Sequence, residues 1–333
     1  MATNKSAYLD AAGQPLRIAE SPMPEPGADD IIVQNHAFAI NTIDPAQQDL
    51  GFQIQSFPAI IGMDLAGEVS NVGANVTRFK KGDRIIGHAR SFLTGKPEDG
   101  AFQLYARVPA NNAAKLPDNV SYKDGVVLPV GLDTASCGLH QTSHMGLDWP
   151  TLDAKPKNAL LVVHGGASSV GLGVTQLAVN AGYKVISTAS PKSFALCKEA
   201  GASHVFDYKD AGLSDKIAEA VGKDEFVGLY NAIGVPETWE TVSPIVEKLG
   251  GGVVANTKPP PEGLPASVKA KFCLGIGDFS APLWEKWVGP ALEAGKLKCL
   301  PEPEVVGNGL ESLEKAFEVR RGDVHAKKIV VEL

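Results

Sequence analysis

The residues with the most chemical promise form one short stretch, Leu160-Leu-Val-Val-His-Gly-Gly-Ala-Ser-Ser-Val-Gly171. An apolar, β-branched run that reads as a buried strand breaks into a turn of glycine, alanine and serine, and the turn opens a helix-like pattern at Val170. Small residues let the backbone approach a ligand closely. A helix start offers unpaired N–H groups and the positive end of the peptide dipoles, so the chemistry on offer is the grip of a pyrophosphate. Gly165, Gly166 and Gly171 hold the outer positions of a G-x-G-x-x-G-like turn. The run Ala167-Ser168-Ser169 replaces its central glycine, and the two hydroxyls can add donors. A dinucleotide site for NAD places a carboxylate about 20 residues further on, against the ribose 2′-OH. Here the next strand ends in Ala189-Ser190-Pro191-Lys192, with no carboxylate. The hydroxyl of Ser190 and the ammonium of Lys192 suit a 2′-phosphate, which points to NADPH. Tyr208, ending the strand after that, can close over the adenine-ribose end.

Metal chemistry has weaker support. The four cysteines, Cys137, Cys197, Cys273 and Cys299, lie far apart with no C-x-x-C pair, and read as reduced, buried thiols. Cys137, His140 and His144 fall on an expected helix, Thr134 to His144, with both histidines on one face. The pattern is His-Gln-Thr-Ser-His, without the glutamate of H-E-x-x-H, so no metal centre is expected there.

The elements that must position these groups divide the chain. At 333 residues two domains are expected. Ile31 to Val33, Ala37 to Ile40, Leu65 to Val72, Arg84 to Ile86 and Phe102 to Val108 are short β-favouring runs parted by turn formers, which suggests a compact β-barrel or sandwich. Ser121 can cap a helix carrying Gly125 to Leu128. From Asn158 strands and helices alternate: Ala159 to His164, Lys184 to Thr188, Val205 to Tyr208, Gly228 to Ala232 and Gly252 to Asn256 as strands, with helices between them at Val170 to Ala181, Phe194 to Ala200, Leu213 to Val221 and Thr238 to Lys248. That alternation specifies a doubly wound parallel sheet covered on both faces. An amphipathic helix from Leu283 to Glu293 and another from Leu310 to Arg320 follow. A closing strand, Lys328 to Leu333, is expected to return to the first domain, making the cofactor domain an insertion. The expected division is 1–125 with 285–333 against 126–284.

Bulk properties exclude several roles. Lys and Arg number 31 against 38 Asp and Glu, a net charge of −7 with no basic face for nucleic acid or a membrane surface. No apolar run approaches the roughly 18–20 residues of a membrane span, and the N-terminus carries no apolar signal-like core, so a cytoplasmic location is expected.

The residues as a set resemble the medium-chain dehydrogenase/reductase superfamily, on its zinc-independent quinone oxidoreductase and enoyl reductase branch. Asn41-Thr-Ile-Asp44 resembles the branch's N-P-x-D motif, with Thr42 where proline is common. Pro58 to Asp64 through Gly82-Asp83-Arg84 resembles its G-x-D-x-x-G…G-D-R-V signature. Leu132-Asp-Thr-Ala-Ser136 and Thr188-Ala-Ser-Pro-Lys192 are similar to fungal reductases, including trans-acting enoyl reductases of polyketide pathways. The resemblance implies a GroES-like β-barrel with an inserted Rossmann domain and a site in the cleft between them. It implies cofactor contacts from Asp44, Pro45, Ala46 and Gln47, from Ser168, Ser169, Val170 and Gly171, and from Ser190, Lys192, Tyr208, Ile233, Leu274 and Lys327. Thr134 would face the nicotinamide. The zinc ligands of metal-dependent relatives are replaced at Asn41 to Asp44 and at Gly62-Met-Asp64, so a zinc-free site is implied.

Without a Lewis acid a simple carbonyl is hard to polarise, whereas conjugated acceptors spread the charge of an added hydride onto an oxygen. The expectation is NADPH-dependent reduction of an activated C=C bond or a quinone of apolar character, by a monomer or homodimer. Asn41 and Thr134 would position the nicotinamide or substrate, Asp44 would hold the site loop, and water or Tyr105 would supply the proton. A zinc-free carbonyl or alcohol dehydrogenase and a non-catalytic NADPH-binding protein are the alternatives.

Overall fold

A computed structural model describes residues 3–333, which fall into two compact units. The first runs to Val130 and resumes over Ile276–Gly295 and Glu302–Leu333. The second spans Gly131–Gly275 with Lys296–Pro301. These boundaries lie five and nine residues from the expected 125/126 and 284/285. The stretch at 296–301 joins the second unit because Gln176 clasps Lys298 through both amide atoms, Oε1 accepting from the Lys298 N–H at 2.7 Å.

The first unit opens with β1 (Asn4–Leu9), β2 (Arg17–Ser21), β3 (Asp30–Ala39), α1 (Ile43–Leu50), β4 (Ala59–Ile60), β5 (Asp64–Val72), β6 (Arg84–His88), α2 (Ser91–Thr94), β7 (Tyr105–Pro109), β8 (Ala113–Lys115) and α3 (Tyr122–Gly125). The two runs expected around residues 31–40 are one strand, β3. Of the polar residues that read as a break, Asn35 is held inside it, donating its side-chain amide to the Ala101 and Gln103 carbonyls at 3.1 and 2.8 Å. The β1–β2 hairpin and α1 had no counterpart in the sequence reading. Helix α1 forms at Asn41-Thr-Ile-Asp-Pro because Pro45 lies in its first turn, where no N–H is needed. Ser121 caps α3 as expected, its hydroxyl accepting from the Asp124 N–H.

The second unit carries most of α4 (Pro129–His140) and then alternates β9 (Ala159–His164), α5 (Ser169–Asn180), β10 (Lys184–Ala189), α6 (Phe194–Glu199), β11 (His204–Asp207), α7 (Leu213–Val221), β12 (Glu225–Asn231), α8 (Trp239–Lys248), β13 (Gly252–Asn256) and β14 (Val268–Phe272). The strands pair in parallel in the order β11-β10-β9-β12-β13-β14, the doubly wound arrangement expected, with β14 added at its edge. Leu160, Val162, Ile186, Leu229 and Val254 pack beneath Ile217 of α7 and Trp239, Val242 and Val246 of α8.

The chain then completes the first unit with α9 (Ala281–Lys286), α10 (Val288–Glu293), β15 (Pro303–Asn308), α11 (Leu313–Arg321) and β16 (Lys328–Glu332). The single helix expected from Leu283 to Glu293 is broken at Trp287, because Pro290 has no N–H to donate back to Lys286. Strand β16 returns as expected and pairs with β3 and β15, giving the order β15-β16-β3-β5-β6-β8, with β7 also on β3. Phe38, Phe102 and Phe317 meet in its core at centroid separations of 5.5 and 5.8 Å. Among the described residues no helix is long and apolar enough to cross a membrane.

Candidate active site

In the second unit the predicted residues gather at one edge. Gly165 to Gly171 follow β9, Ser190 and Lys192 follow β10, Tyr208 follows β11, Ile233 follows β12 and Leu274 follows β14. All sit beyond the carboxyl ends of parallel strands. The order turns outward in both directions from β9 and β12, and open α/β sheets bind ligands at such a reversal.

The turn after β9 is shaped by two glycines. Gly165 has φ 77°, and a Cβ there would stand 2.4 Å from Ile233 Cγ1. At Gly171 a Cβ would meet the Gly165 carbonyl oxygen at 2.4 Å, so the helix start and the strand end come together only without a side chain. Ser168 caps α5: its hydroxyl accepts from the Gly171 N–H at 3.1 Å and donates to the Gly165 carbonyl at 2.8 Å. That hydroxyl is therefore occupied in holding the turn and does not add a ligand donor, in contrast to the expectation. The amides of Ser169 and Val170, the first helical residues, have no intrahelical acceptor. They are available to an anion, with the Ser169 side chain half-buried beside them.

Ser190 and Lys192 lie on the short turn after β10, Lys192 exposed and Ser190 half-buried, and no carboxylate ends that strand. Tyr208 is 41% exposed and meets the His164 ring edge-on at 6.4 Å. His164 went unread in the sequence as a site residue. Its Nδ1 lies 2.9 Å from Thr188 Oγ1, and burial pushes its pKa down to about 4, so a neutral imidazole ends β9. Ile233 and Leu274 are exposed apolar residues at the same edge, 40% and 44%. Thr134 on α4 is in close contact with the backbone after β14: a Cβ on Gly275 would stand 2.5 Å from both its N and its Oγ1.

The first unit holds a second polar group. The register pairs Asp64 with Ala39 and with His88, and Val330 with Ala39, so the ends of β3, β5, β6 and β16 converge. Asn41, just past β3, donates from Nδ2 to Asp64 Oδ2 at 3.0 Å. Lys328 Nζ bridges Asp64 Oδ2 at 2.9 Å and Asn41 Oδ1 at 2.6 Å. The other Asp64 oxygen accepts the Val130 N–H at 2.7 Å. Asp44 accepts the Asn41 N–H at 2.6 Å through Oδ2, which ties the start of α1 to the cluster. Its Oδ1 and Gln47 Oε1 are buried polar atoms without a protein partner, the condition of groups that await a ligand or water. Burial, reinforced by the Asp64 charge, raises the Asp44 pKa to about 7 against the opposing pull of the Asn41 N–H, Lys328 and His88. Pro45 is buried beside it and Ala46 half-buried.

The resemblance implies a cofactor contact for Lys327 and assigns no role to Lys328. Lys327 pairs with Glu302 at the surface, and Lys328, only 4% exposed, enters the cluster. Strand alternation sends neighbouring side chains to opposite faces, and the register with β3 decides which lysine goes inward. Tyr105 does not belong to the cluster. It pairs with Gln34 on β3, five residues from Ala39, which places it roughly 17 Å away along the strand. The helix expected to run to His144 ends at His140, so Cys137, His140 and His144 do not share a helix face. His140 instead stacks on Trp149 at 4.3 Å, its Nδ1 3.1 Å from the Leu147 carbonyl.

Comparison with known proteins gives a consistent picture. Residues 27–118 match the model of the alcohol dehydrogenase GroES-like domain, and residues 169–271 match that of the zinc-binding dehydrogenase. The dehydrogenase orsE of Emericella nidulans is 44% identical over 100% of both chains. The trans-enoyl reductase himH of Aspergillus japonicus is 34% identical over 91% of this chain and 90% of its own. The solved quinone oxidoreductase of Pseudomonas syringae pv. Tomato DC3000 superposes with a TM-score of 0.74 at 23% identity, over 99% of this chain and 100% of the other.

Proposed function

Because the chain belongs to the medium-chain dehydrogenase/reductase superfamily, on its enoyl reductase branch, we propose that it is an NADPH-dependent reductase of an activated C=C bond or a quinone. The observation that carries the cofactor choice is the edge of the second unit's sheet. A glycine-shaped turn and a capped helix offer free amides to a pyrophosphate, and the next strand ends in Ser190 and Lys192 rather than a carboxylate. When bound, NADPH supplies the hydride.

The protein's own residues orient and neutralise. The Ser169 and Val170 amides hold the pyrophosphate, Lys192 and Ser190 the 2′-phosphate, and Tyr208 covers the adenine-ribose end. Thr134 and Leu274 form the apolar and hydroxyl surface against the nicotinamide. In the first unit Asp44 and Lys328 fix Asn41 from its backbone N–H and its side-chain oxygen, leaving Asn41 a rigid positioning residue. The cation among Asn41 and Asp64 is an ammonium, which supports a reaction that needs no catalytic zinc at these positions. Acceptors whose charge delocalises onto an oxygen fit such a site, with the proton drawn from solvent. Similarity to the trans-enoyl reductase himH of Aspergillus japonicus favours an enoyl substrate.

Lys192→Ala tests the cofactor reading. Losing a charge-assisted phosphate contact lowers NADPH affinity by roughly 1.5–3 kcal/mol and leaves NADH nearly unchanged. Equal losses for both, read by fluorescence titration, would remove the 2′-phosphate assignment. Turnover on a panel of enones, 2-alkenals, quinones, ketones and alcohols tests the chemistry, and activity confined to saturated alcohols overturns it.

A further inference from the structure

The fold gives Cys137 partners different from those its sequence suggests. Cys137 lies on the last turn of α4, Cys273 immediately follows β14, and His144 stands in the turn beyond α4. One ligand atom from each lies within 4.8 Å of the other two. Both cysteines are nearly inaccessible, 3% and 2% exposed, and His144 is half-buried. The Cys137 sulfur accepts from Gln141 Nε2 at 3.1 Å, and the Cys273 thiol donates to the Lys271 carbonyl at 3.7 Å.

We propose that Cys137, His144 and Cys273 form a zinc site that clamps α4 to the segment after β14. Zinc–sulfur bonds of about 2.3 Å and zinc–nitrogen bonds of about 2.0–2.1 Å, set tetrahedrally, require ligand atoms roughly 3.5–3.8 Å apart. The present spacing, within 4.8 Å, reaches this with a contraction of at most about 1.3 Å. Two sulfurs and an imidazole are a soft set that favours zinc over magnesium or calcium, and no carboxylate is among them. Charge decides the rest. Two thiol protons leave to solvent as two sulfur–zinc bonds form, with no change of oxidation state, and two thiolates with one dication make a neutral group, which a buried position tolerates. His144 has a partner at each ring nitrogen, Ser143 Oγ at 3.0 Å and the Phe272 carbonyl at 2.9 Å. Whichever nitrogen turns to the metal, the other keeps an oxygen to orient the ring. The fourth position is open to water.

The clamp belongs to the second unit, whereas Asn41 and Asp64 belong to the first, and it takes no part in the proposed hydride transfer. Its consequence is positional: Cys273 is followed by Leu274 and Gly275, and Gly275 packs against Thr134. The full-length chain, reduced with a phosphine and stripped of metal, is titrated with Co²⁺ as the probe. A single cobalt per chain with a sulfur-to-cobalt charge-transfer band and tetrahedral d–d absorption, displaced by Zn²⁺, is expected, together with a rise in melting temperature on adding Zn²⁺. Cys273→Ser and His144→Ala lose the tetrahedral spectrum, and Cys197→Ser keeps it. His144, the more exposed ligand, serves if the cysteine variant does not fold. An octahedral cobalt spectrum without the sulfur band, or a titration unchanged by His144→Ala, overturns the proposal.

Discussion

The two units present polar chemistry in opposite ways. In the second, the candidate site is made of backbone: amides at the start of α5, a carbonyl-lined turn, and glycines that keep side chains out of the way. In the first, it is made of side chains sunk among strand ends, with an aspartate, a lysine and an asparagine closed on one another and almost no water-exposed surface. A backbone site costs little to fold, because its groups would be solvated if left alone. A buried ion cluster depends on every member, because removing one strands the others in a medium that cannot solvate them.

The sharpest test of that contrast is Lys328→Met. It leaves the Asp64 carboxylate buried without its cation and lowers unfolding free energy by about 3–5 kcal/mol in urea titration, with much of the loss recovered by adding Asp64→Asn. A loss below about 1 kcal/mol would mean that the cluster is hydrated, and the contrast would fall.

Asp44→Asn probes the same cluster through pH. The folded carboxyl titrates near 7 against 3.8 unperturbed, so its neutral form contributes stability that is fully present below about pH 4 and lost as pH rises through 7. The amide cannot ionise. Relative to wild type the variant therefore gains stability between pH 4 and pH 7, by up to about 4 kcal/mol at pH 8. A melting-temperature difference that does not change across that range would show the carboxyl already ionised in the fold.

Changes at the backbone site are smaller in stability and larger in binding. Gly171→Ala forces a methyl against the Gly165 carbonyl, costing about 1–3 kcal/mol of stability, and weakens NADPH in a fluorescence titration as the turn opens. Ser168→Ala removes only the cap, about 1 kcal/mol by thermal denaturation.

How much of this could be read in the sequence follows the same division. The turn at Gly165–Gly171 is local, so its strand, cap and helix are visible as a pattern, and the helix appears within a residue of its expected bounds. The α7 and β13 bounds were legible in full for the same reason. The buried cluster joins Asn41 to Lys328 across 287 positions, and no spacing rule links residues so far apart. That Lys328 turns into the cluster depends on the register of β16 on β3, a tertiary fact. Cys273 was readable as a thiol, yet its meeting with Cys137 depends on β14, a short edge strand that is mostly exposed and lacks the apolar signature of its neighbours. Helix α1 escaped notice because Asn, Thr, Asp and Pro together are turn formers in most settings.

Strand β16 has a further consequence for how the protein is made. It lies between β15 and β3, and until it arrives the stretch Ala37–Ala39 of β3 has an open edge. Strand β3 leaves the ribosome long before Glu332 does, and at roughly 5–20 residues per second that interval is about 15–60 s. The inserted unit can complete its own sheet in the meantime. The part of the molecule synthesised first is thus finished last, and during translation its unpaired edge is the surface on which a chaperone or a neighbouring nascent chain would act.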